Sequence, residues 1–205
     1  RIITCKGGFH GRTLATLSAA MNEKHTAGFT PMLEGFDQVP FGNLNEMRNA
    51  ITDQTAAILI EPIQGEGGVN CVATDYFKRL RETADEFGLL LFMDEVQTGI
   101  GRTGKLFAHE WAGITPDIVT MAKGLTSCYL PLGAMGMRQP IADHFKSHVF
   151  QGGLTYNSHP TSLAAAEACI HVLQDEGLIE NAQRLEPVMR EEMDRLTDVH
   201  PSVKE

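Results

Sequence analysis

Short apolar runs punctuate the chain, and each is followed at once by a glycine, a proline or a charged residue. Arg1 to Cys5 reads as a strand, and so do Ala56 to Ile60, Leu89 to Met93 and Ile118 to Ala122, each five residues long. Runs of that length are too short for helices and suit strands buried on both faces of a parallel sheet. Between them the period lengthens. Phe77, Leu80, Ala84 and Phe87 recur at helical spacing, so a helix is predicted over 75–87 with one stripe facing a sheet. Thr74 is placed to cap its start, Asp75 suits the positive end of its dipole, and Gly88 closes it. Strand, helix, strand over 56–60, 75–87 and 89–93 is a βαβ unit, which requires parallel pairing.

The remaining elements follow from the same patterns. Leu14 to Met21 and Leu44 to Ile51 read as short helices, and residues 26–43, with Gly, Pro and Asn breakers, as loop and short extended pieces. After Lys123 come a glycine-containing strand over 132–137, a short helix from Pro140 to Phe145 and a polar loop from Gly152 to Ser158. Pro160 opens a helix that runs to Leu173 and stops near Gly177, and Leu178 to Leu196 is helical and amphipathic. The expected fold class is α/β, a mostly parallel central sheet with flanking helices. There is no internal repeat.

Composition narrows the function classes. The 205 residues are 42% hydrophobic and 21% charged, ordinary for a globular protein able to bury a real core. The net charge of −9 is shared by both halves: 8 basic against 13 acidic residues up to residue 100, and 9 against 13 beyond it. Neither half is basic, so no nucleic-acid partner is expected. Cys5, Cys71, Cys128 and Cys169 show no CxxC spacing, which reads as reduced thiols in a cytoplasmic protein. His10, His109, His144, His148 and His159 have no paired metal-ligand spacing, so no metal site is expected. No apolar run approaches the roughly 18 residues of a membrane span, and no signal peptide opens the chain. Position 1 already lies in a predicted strand and is not Met, so the chain is expected to be a piece of a longer one.

Two of the strands end on opposite charges. Leu89 to Met93 runs into Asp94, and Ile118 to Ala122 runs into Lys123-Gly124. Ligands of open α/β sheets sit outside the carboxyl ends of the strands. A carboxylate leaving a sheet core is costly unless a cation meets it, and a protonated pyridine nitrogen would serve. A lysine shielded at such a mouth becomes a nucleophile towards a carbonyl. Lys6, also at a strand end and also before a glycine, is a rival that spacing does not remove. Gly99-Ile100-Gly101-Arg102-Thr103-Gly104 matches G-x-G-x-x-G, but five residues separate it from the strand and no clean helix follows. It reads as a glycine loop and not as a dinucleotide site. Cys128 reads as a small core residue.

Several stretches together resemble the class III pyridoxal-phosphate-dependent aminotransferases, of fold type I. They are Phe9-His10-Gly11-Arg12-Thr13, Glu61 to Val69, Asp94 to Gly99, Pro116-Asp117 through Lys123-Gly124, and Thr155 in its loop. Residues 1 to about 122 are most similar to the acetylornithine branch. Leu125 to Gly133 and Gly153 to Pro160 are more similar to ω-amino acid–pyruvate aminotransferases, and Leu154 stands where the acetylornithine branch has a substrate-contacting serine.

The resemblance implies roles. Lys123 would carry pyridoxal 5'-phosphate and shuttle the proton, which also favours it over Lys6. Asp94 would pair with the ring nitrogen, Val96 and Phe9 would pack on the two ring faces, and Gln97 would sit near the ring hydroxyl. Thr155 would bind the cofactor phosphate of a neighbouring subunit in a homodimer. Arg12 would bind the substrate carboxylate, and Glu66 would be a switch partner for a substrate-binding arginine in the family's C-terminal region. The implied reaction moves an amino group from a small-molecule donor, N-acetylornithine or a similar ω-amine, to the 2-oxo acid acceptor 2-oxoglutarate. An ω-amino acid–pyruvate pair is the close alternative. An aminomutase or decarboxylase on the same scaffold, or a non-catalytic α/β binding domain, stands further off. The family's N-terminal phosphate-binding turn and C-terminal small domain find no match here. Residues 1–175 are therefore expected to be the cofactor-binding large domain, incomplete at its N-terminus. Residues 176–205 are expected to be a helix leading into the small domain, and the piece alone is expected to be poorly active.

Overall fold

In a computed structural model, which describes residues 1–203, six strands form a single sheet. They are β1 (Ile2–Cys5), β2 (Phe36–Val39), β3 (Ala57–Ile60), β4 (Leu90–Asp94), β5 (Ile118–Met121) and β6 (Ala134–Met137), in the spatial order β2-β1-β3-β4-β5-β6. The first five are parallel, and β6 runs antiparallel to β5. An antiparallel edge strand on a parallel sheet can be less buried, and Ala134 and Met135 are exposed. Among the described residues seven α-helices accompany the sheet: α1 (Leu14–Ala20), α2 (Glu23–Thr26), α3 (Leu44–Asn49), α4 (Thr74–Phe87), α5 (Gln139–His144), α6 (Pro160–Asp175) and α7 (Leu178–Val199). None is long and apolar enough to cross a membrane.

The core lies between α4 and the central strands. Ile3, Ile58, Ile60, Leu91 and Met93 are shielded from solvent and pack with Phe77, Leu80 and Ala84. Removing Leu80 from water contributes about 2 kcal/mol. Two details of α4 differ from the sequence pattern. Thr74 is the first helical residue; Ala73 takes the cap position, and no side chain caps the helix. Phe87, on the expected core stripe, is 44% exposed and instead lies under the Arg48 guanidinium. Tyr76 and Thr83 are buried in its place, because the face that meets the sheet is rotated towards them. Gly88 closes the helix at φ 66°, as its position suggests.

Asp117, just before β5, ties three elements together. It accepts hydrogen bonds from the Leu91 N–H (2.8 Å), Arg81 (2.6 Å) and Arg138 (3.1 Å). Burial pushes its carboxyl up, but the Leu91 N–H and the two guanidinium groups outweigh that and hold it below the usual range.

The strand order positions the site. From β1 the chain crosses to β2 on one side, then returns to β3 on the other and continues outward through β4 and β5. The loops leaving β1 and β3 therefore diverge at a topological switch, where such sheets open a crevice at their carboxyl ends. Gln64 Nε2 donates to the Lys6 carbonyl (2.9 Å) and closes the base of that crevice. Gly67 allows the close approach: a Cβ there would stand 2.3 Å from the Gly7 carbonyl oxygen.

Candidate active site

Asp94 and Lys123 come from adjacent strands. In the β4–β5 ladder Asp94 faces Thr120, three residues before Lys123. Lys6 leaves β1, which β3 separates from β4. Parallel strands lie about 4.8 Å apart, so topology puts Lys123 one spacing from Asp94 and Lys6 two. Of the two lysines, Lys123 thus leaves the strand next to that of Asp94 and Lys6 does not.

The Asp94 carboxyl has three polar partners. His10 Nδ1 lies 2.8 Å from Oδ2, while the Val96 N–H (3.1 Å) and the Thr120 hydroxyl (3.3 Å) donate to Oδ1. The His10 side chain is buried, and its Nε2 has no partner among the described residues. Glu61, at the end of β3, accepts the Phe9 N–H at 2.7 Å. Burial pushes the Glu61 carboxyl above its ordinary value, opposed by the Phe9 N–H and by His10, and reinforced by the charge of Asp94. His10, Glu61 and Thr120 were not singled out for this role by the sequence. The signal available was the need of Asp94 for a cationic or donor partner, which His10 meets from a loop 84 residues away in the chain.

Lys123 differs from expectation in one respect. It is exposed in this chain, not shielded, because it opens a short 3-10 turn, Lys123–Thr126, outside the sheet. Its backbone sits at φ 42°, an uncommon left-handed conformation for a lysine, which costs roughly 1 kcal/mol or more. Nζ donates to Gln97 Oε1 at 3.3 Å, so the amine points back to the loop after β4. Gly65 makes room for that glutamine: a Cβ there would stand 2.3 Å from the Gln97 amide nitrogen.

The other predicted residues divide into two groups. Phe9 and Val96 are half-buried beside Asp94's ligands, and the Arg12 guanidinium lies 5.5 Å from the centre of the Phe9 ring. Glu66 sits on the β3 loop, with Oε1 3.6 Å from His25 Nε2. Thr155, in contrast, is exposed on the 151–158 loop, and no hydrogen bond links it to Asp94 or Lys123 within this chain. Leu154 beside it is 76% exposed. The glycine loop 99–104 opens no helix and seats the α6–α7 corner: a Cβ on Gly101 would touch Leu173 and Ile179, and Gln183 donates to the Gly104 carbonyl.

A cavity of about 850 Å³ opens beside Lys123, between its turn and α6, lined by Ile100, Arg102, Ala168, Val172 and Leu173. Asp94, Phe9 and Arg12 do not line it. Lys123 therefore borders the cavity and Asp94 does not, and the pair is defined by the strand ends.

Glu95 anchors the loop that carries Val96 and Gln97. It is 0% exposed and accepts from the Thr98 hydroxyl (2.6 Å), the Ala108 and His109 N–H groups (2.9 and 2.8 Å) and His109 Nδ1 (3.0 Å). Burial alone would raise its carboxyl; these donors outweigh burial and lower it. A group lowered in the folded state contributes stability above its unfolded value, and that contribution is lost as pH falls through the folded one. Glu95→Gln is accordingly expected to cost about 2–3 kcal/mol near neutrality. The gap to wild type should close as pH falls below the usual 4.5. Urea unfolding at several pH values checks this; a pH-independent gap would contradict it.

Compared with known proteins, residues 1–205 match the family model described as aminotransferase class-III. An acetylornithine aminotransferase of Brucella melitensis is 48% identical over 203 residues, covering 99% of this chain and 50% of the relative. An ornithine aminotransferase of Staphylococcus carnosus is 38% identical over 206 residues, covering 100% and 50%. Among solved structures, the ornithine aminotransferase from Toxoplasma gondii ME49 superimposes with a TM-score of 0.94 at 33% identity, covering 100% of this chain and 49% of that one. A PLP-bound amine transaminase from an uncultivated Pseudomonas species gives 0.92 at 32%, covering 98% and 51%. The chain spans about half the length of the curated relatives it matches.

Proposed function

Because the chain belongs to the class III aminotransferase family, we propose that it forms the pyridoxal-phosphate-binding part of an enzyme that moves the amino group of N-acetylornithine, or a related ω-amine, to 2-oxoglutarate. The observation that carries this reading is the pairing of a positioned carboxyl, Asp94, with an accessible amine, Lys123, at adjacent strand ends. The donor set fits the cofactor. His10 Nδ1, the Val96 N–H and the Thr120 hydroxyl surround the Asp94 carboxyl and fix its place for a ring nitrogen, an accessible primary amine suits an aldehyde, and half-buried Phe9 and Val96 suit the faces of a flat ring.

When bound, the cofactor supplies an electron sink for the substrate's α-carbon. Asp94 would hold the ring nitrogen, its side chain kept in place by His10, Val96 and Thr120. Phe9 and Val96 would bracket the ring and exclude water from its faces. Gln97 would sit near the ring hydroxyl, and the bond it now makes to Lys123 Nζ would keep the amine oriented towards that side. Lys123 would bind the aldehyde carbon and, once displaced by substrate, carry the proton at the α-carbon. Arg12 would receive the substrate carboxylate on its planar fork. Thr155, exposed here, would serve the phosphate of a second copy in a homodimer, and Glu66 would answer a substrate-binding arginine. The four free cysteines suit a reducing compartment, the cytoplasm in our reading.

The names of the curated relatives support the acetylornithine donor. Leu154, in place of a substrate-contacting serine, favours a second reading with an ω-amino acid donor and pyruvate as acceptor. A panel of donors against both acceptors, run on the full-length protein that carries this chain, decides between them. N-acetylornithine with 2-oxoglutarate is expected to lead in kcat/KM by about tenfold or more. A lead for an ω-amino acid with pyruvate selects the second reading, and no amino transfer with any pair refutes both.

A further inference from the structure

We propose that Glu61 is a positioning residue for the seat of the cofactor's ring nitrogen, acting on Asp94 through the Phe9–His10 segment. The proposal rests on the reading above that Asp94 takes that nitrogen.

Glu61 and Asp94 leave neighbouring strands side by side. Ile60 pairs with Met93 in the β3–β4 ladder, so the residues that follow, Glu61 and Asp94, stand one strand spacing apart, about 4.8 Å. Glu61 is 6% exposed and Asp94 8%. A carboxyl buried at a strand end is costly unless it is partnered. Among the described residues Glu61 has no ion pair; its closest donor is the Phe9 N–H, 2.7 Å from Oε1. The other groups that face it are the Gly65 N–H, His10, Asp94 and the Cys5 thiol.

The backbone that Glu61 fixes is the one that carries His10 to Asp94. Phe9 and His10 are consecutive, in a stretch between β1 and α1 that belongs to no helix or strand. The His10 side chain is 3% exposed, and Nδ1, 2.8 Å from Asp94 Oδ2, is its one polar anchor among the described residues, since Nε2 has no partner. The place of the imidazole is therefore set by the backbone it hangs from, and Glu61 ties that backbone one peptide away. Gly8 completes the arrangement. A Cβ there would stand 3.0 Å from the Cys5 carbonyl oxygen, 3.1 Å from His10 Nε2 and 3.6 Å from Glu61 Oε1. A side chain at position 8 would press on the imidazole from the side opposite Asp94. Glu61, Gly8, Phe9 and His10 thus form one support behind Asp94, and Glu61 is its fixed end on the sheet.

The test uses the full-length protein and two probes, pyridoxal phosphate and its deaza analogue, in which C–H replaces the ring nitrogen. Each is titrated by absorbance, and the ratio of the two dissociation constants is read. Wild type is expected to prefer pyridoxal phosphate, and Asp94→Asn to remove most of that preference. Equal binding of both probes by wild type removes the reading this rests on, and is seen before any Glu61 variant is made. Glu61→Ala is expected to shrink the preference by about fivefold. Glu61→Gln, which keeps an acceptor for the Phe9 N–H, should retain most of it. Gly8→Ala leaves Glu61 intact and displaces the imidazole, so it should shrink the preference too, and it keeps the route testable if Glu61→Ala does not fold. In an Asp94→Asn background, Glu61→Ala should leave the ratio unchanged. A Glu61 that only stabilises the fold would lower the unfolding temperature and both affinities together, with the ratio unmoved. That result, a Glu61→Gln as damaged as Glu61→Ala, an unaltered ratio in Gly8→Ala, or an equal shift without Asp94 would overturn the proposal.

Discussion

Replacing Lys123 by alanine is expected to abolish amino transfer, with kcat at least about a thousandfold lower. The amine serves twice in the proposed mechanism, as the attachment point and as the proton carrier, so no neighbouring group replaces it. The backbone at Lys123 is left-handed, and alanine meets the same strain there as lysine. The variant therefore tests the amine and not the turn. The direct measurement is borohydride reduction in the presence of pyridoxal phosphate, followed by peptide mapping. The wild-type adduct is expected on Lys123, none on Lys123→Ala, and an unchanged adduct in Lys6→Ala. An adduct on Lys6 would undo the assignment, and with it the argument from strand order.

Asp94→Asn is the second large effect, a drop of roughly a hundred- to a thousandfold in kcat. The amide matches the carboxylate in shape, and its oxygen can still accept from Val96 and Thr120. What it loses is the charge, and with it the ability to hold a ring cation; its NH2 would also face His10 Nδ1, which now lies 2.8 Å from Oδ2. Circular dichroism and thermal unfolding should change little, because only one charge at the sheet mouth is altered. His10→Ala should lower kcat by a smaller factor, since His10 acts through Asp94. A His10 variant as damaged as Asp94→Asn would mean that His10 touches cofactor or substrate itself. Wild-type activity in Asp94→Asn would refute the role of the pair.

Much of the fold was legible because short buried strands and an amphipathic helix announce themselves in one dimension. The runs at 2–5, 57–60, 90–94 and 118–121 are strands, and α4 runs from Thr74 to Phe87. The errors are local. A threonine before a helix predicts a cap, but the helix began one residue earlier, with Ala73 in the cap position. Phe87 has helical spacing yet faces solvent, because where a helix meets a sheet depends on their packing and not on the period alone. The supporting residues of the site were less legible. Glu95 next to Asp94 gave no sign that it would accept four hydrogen bonds from residues 98, 108 and 109.

Asp94 and Lys123 show where the division falls. Each is readable as a charged residue at the end of an apolar run, since burying the run forces the charge to the rim of the sheet. The family motifs around them are also local, so the chemistry could be read from the chain alone. Which lysine neighbours Asp94 depends on strand order, and which group ligates Asp94 depends on a loop that returns from the far side of the switch at β1 and β3. Those are contacts between residues distant in sequence, formed only when the sheet assembles. The same holds for the approach of His25 to Glu66. The sequence determined the elements and the chemical types because those follow from local burial and charge. Tertiary structure alone decided the pairings, because they follow from topology.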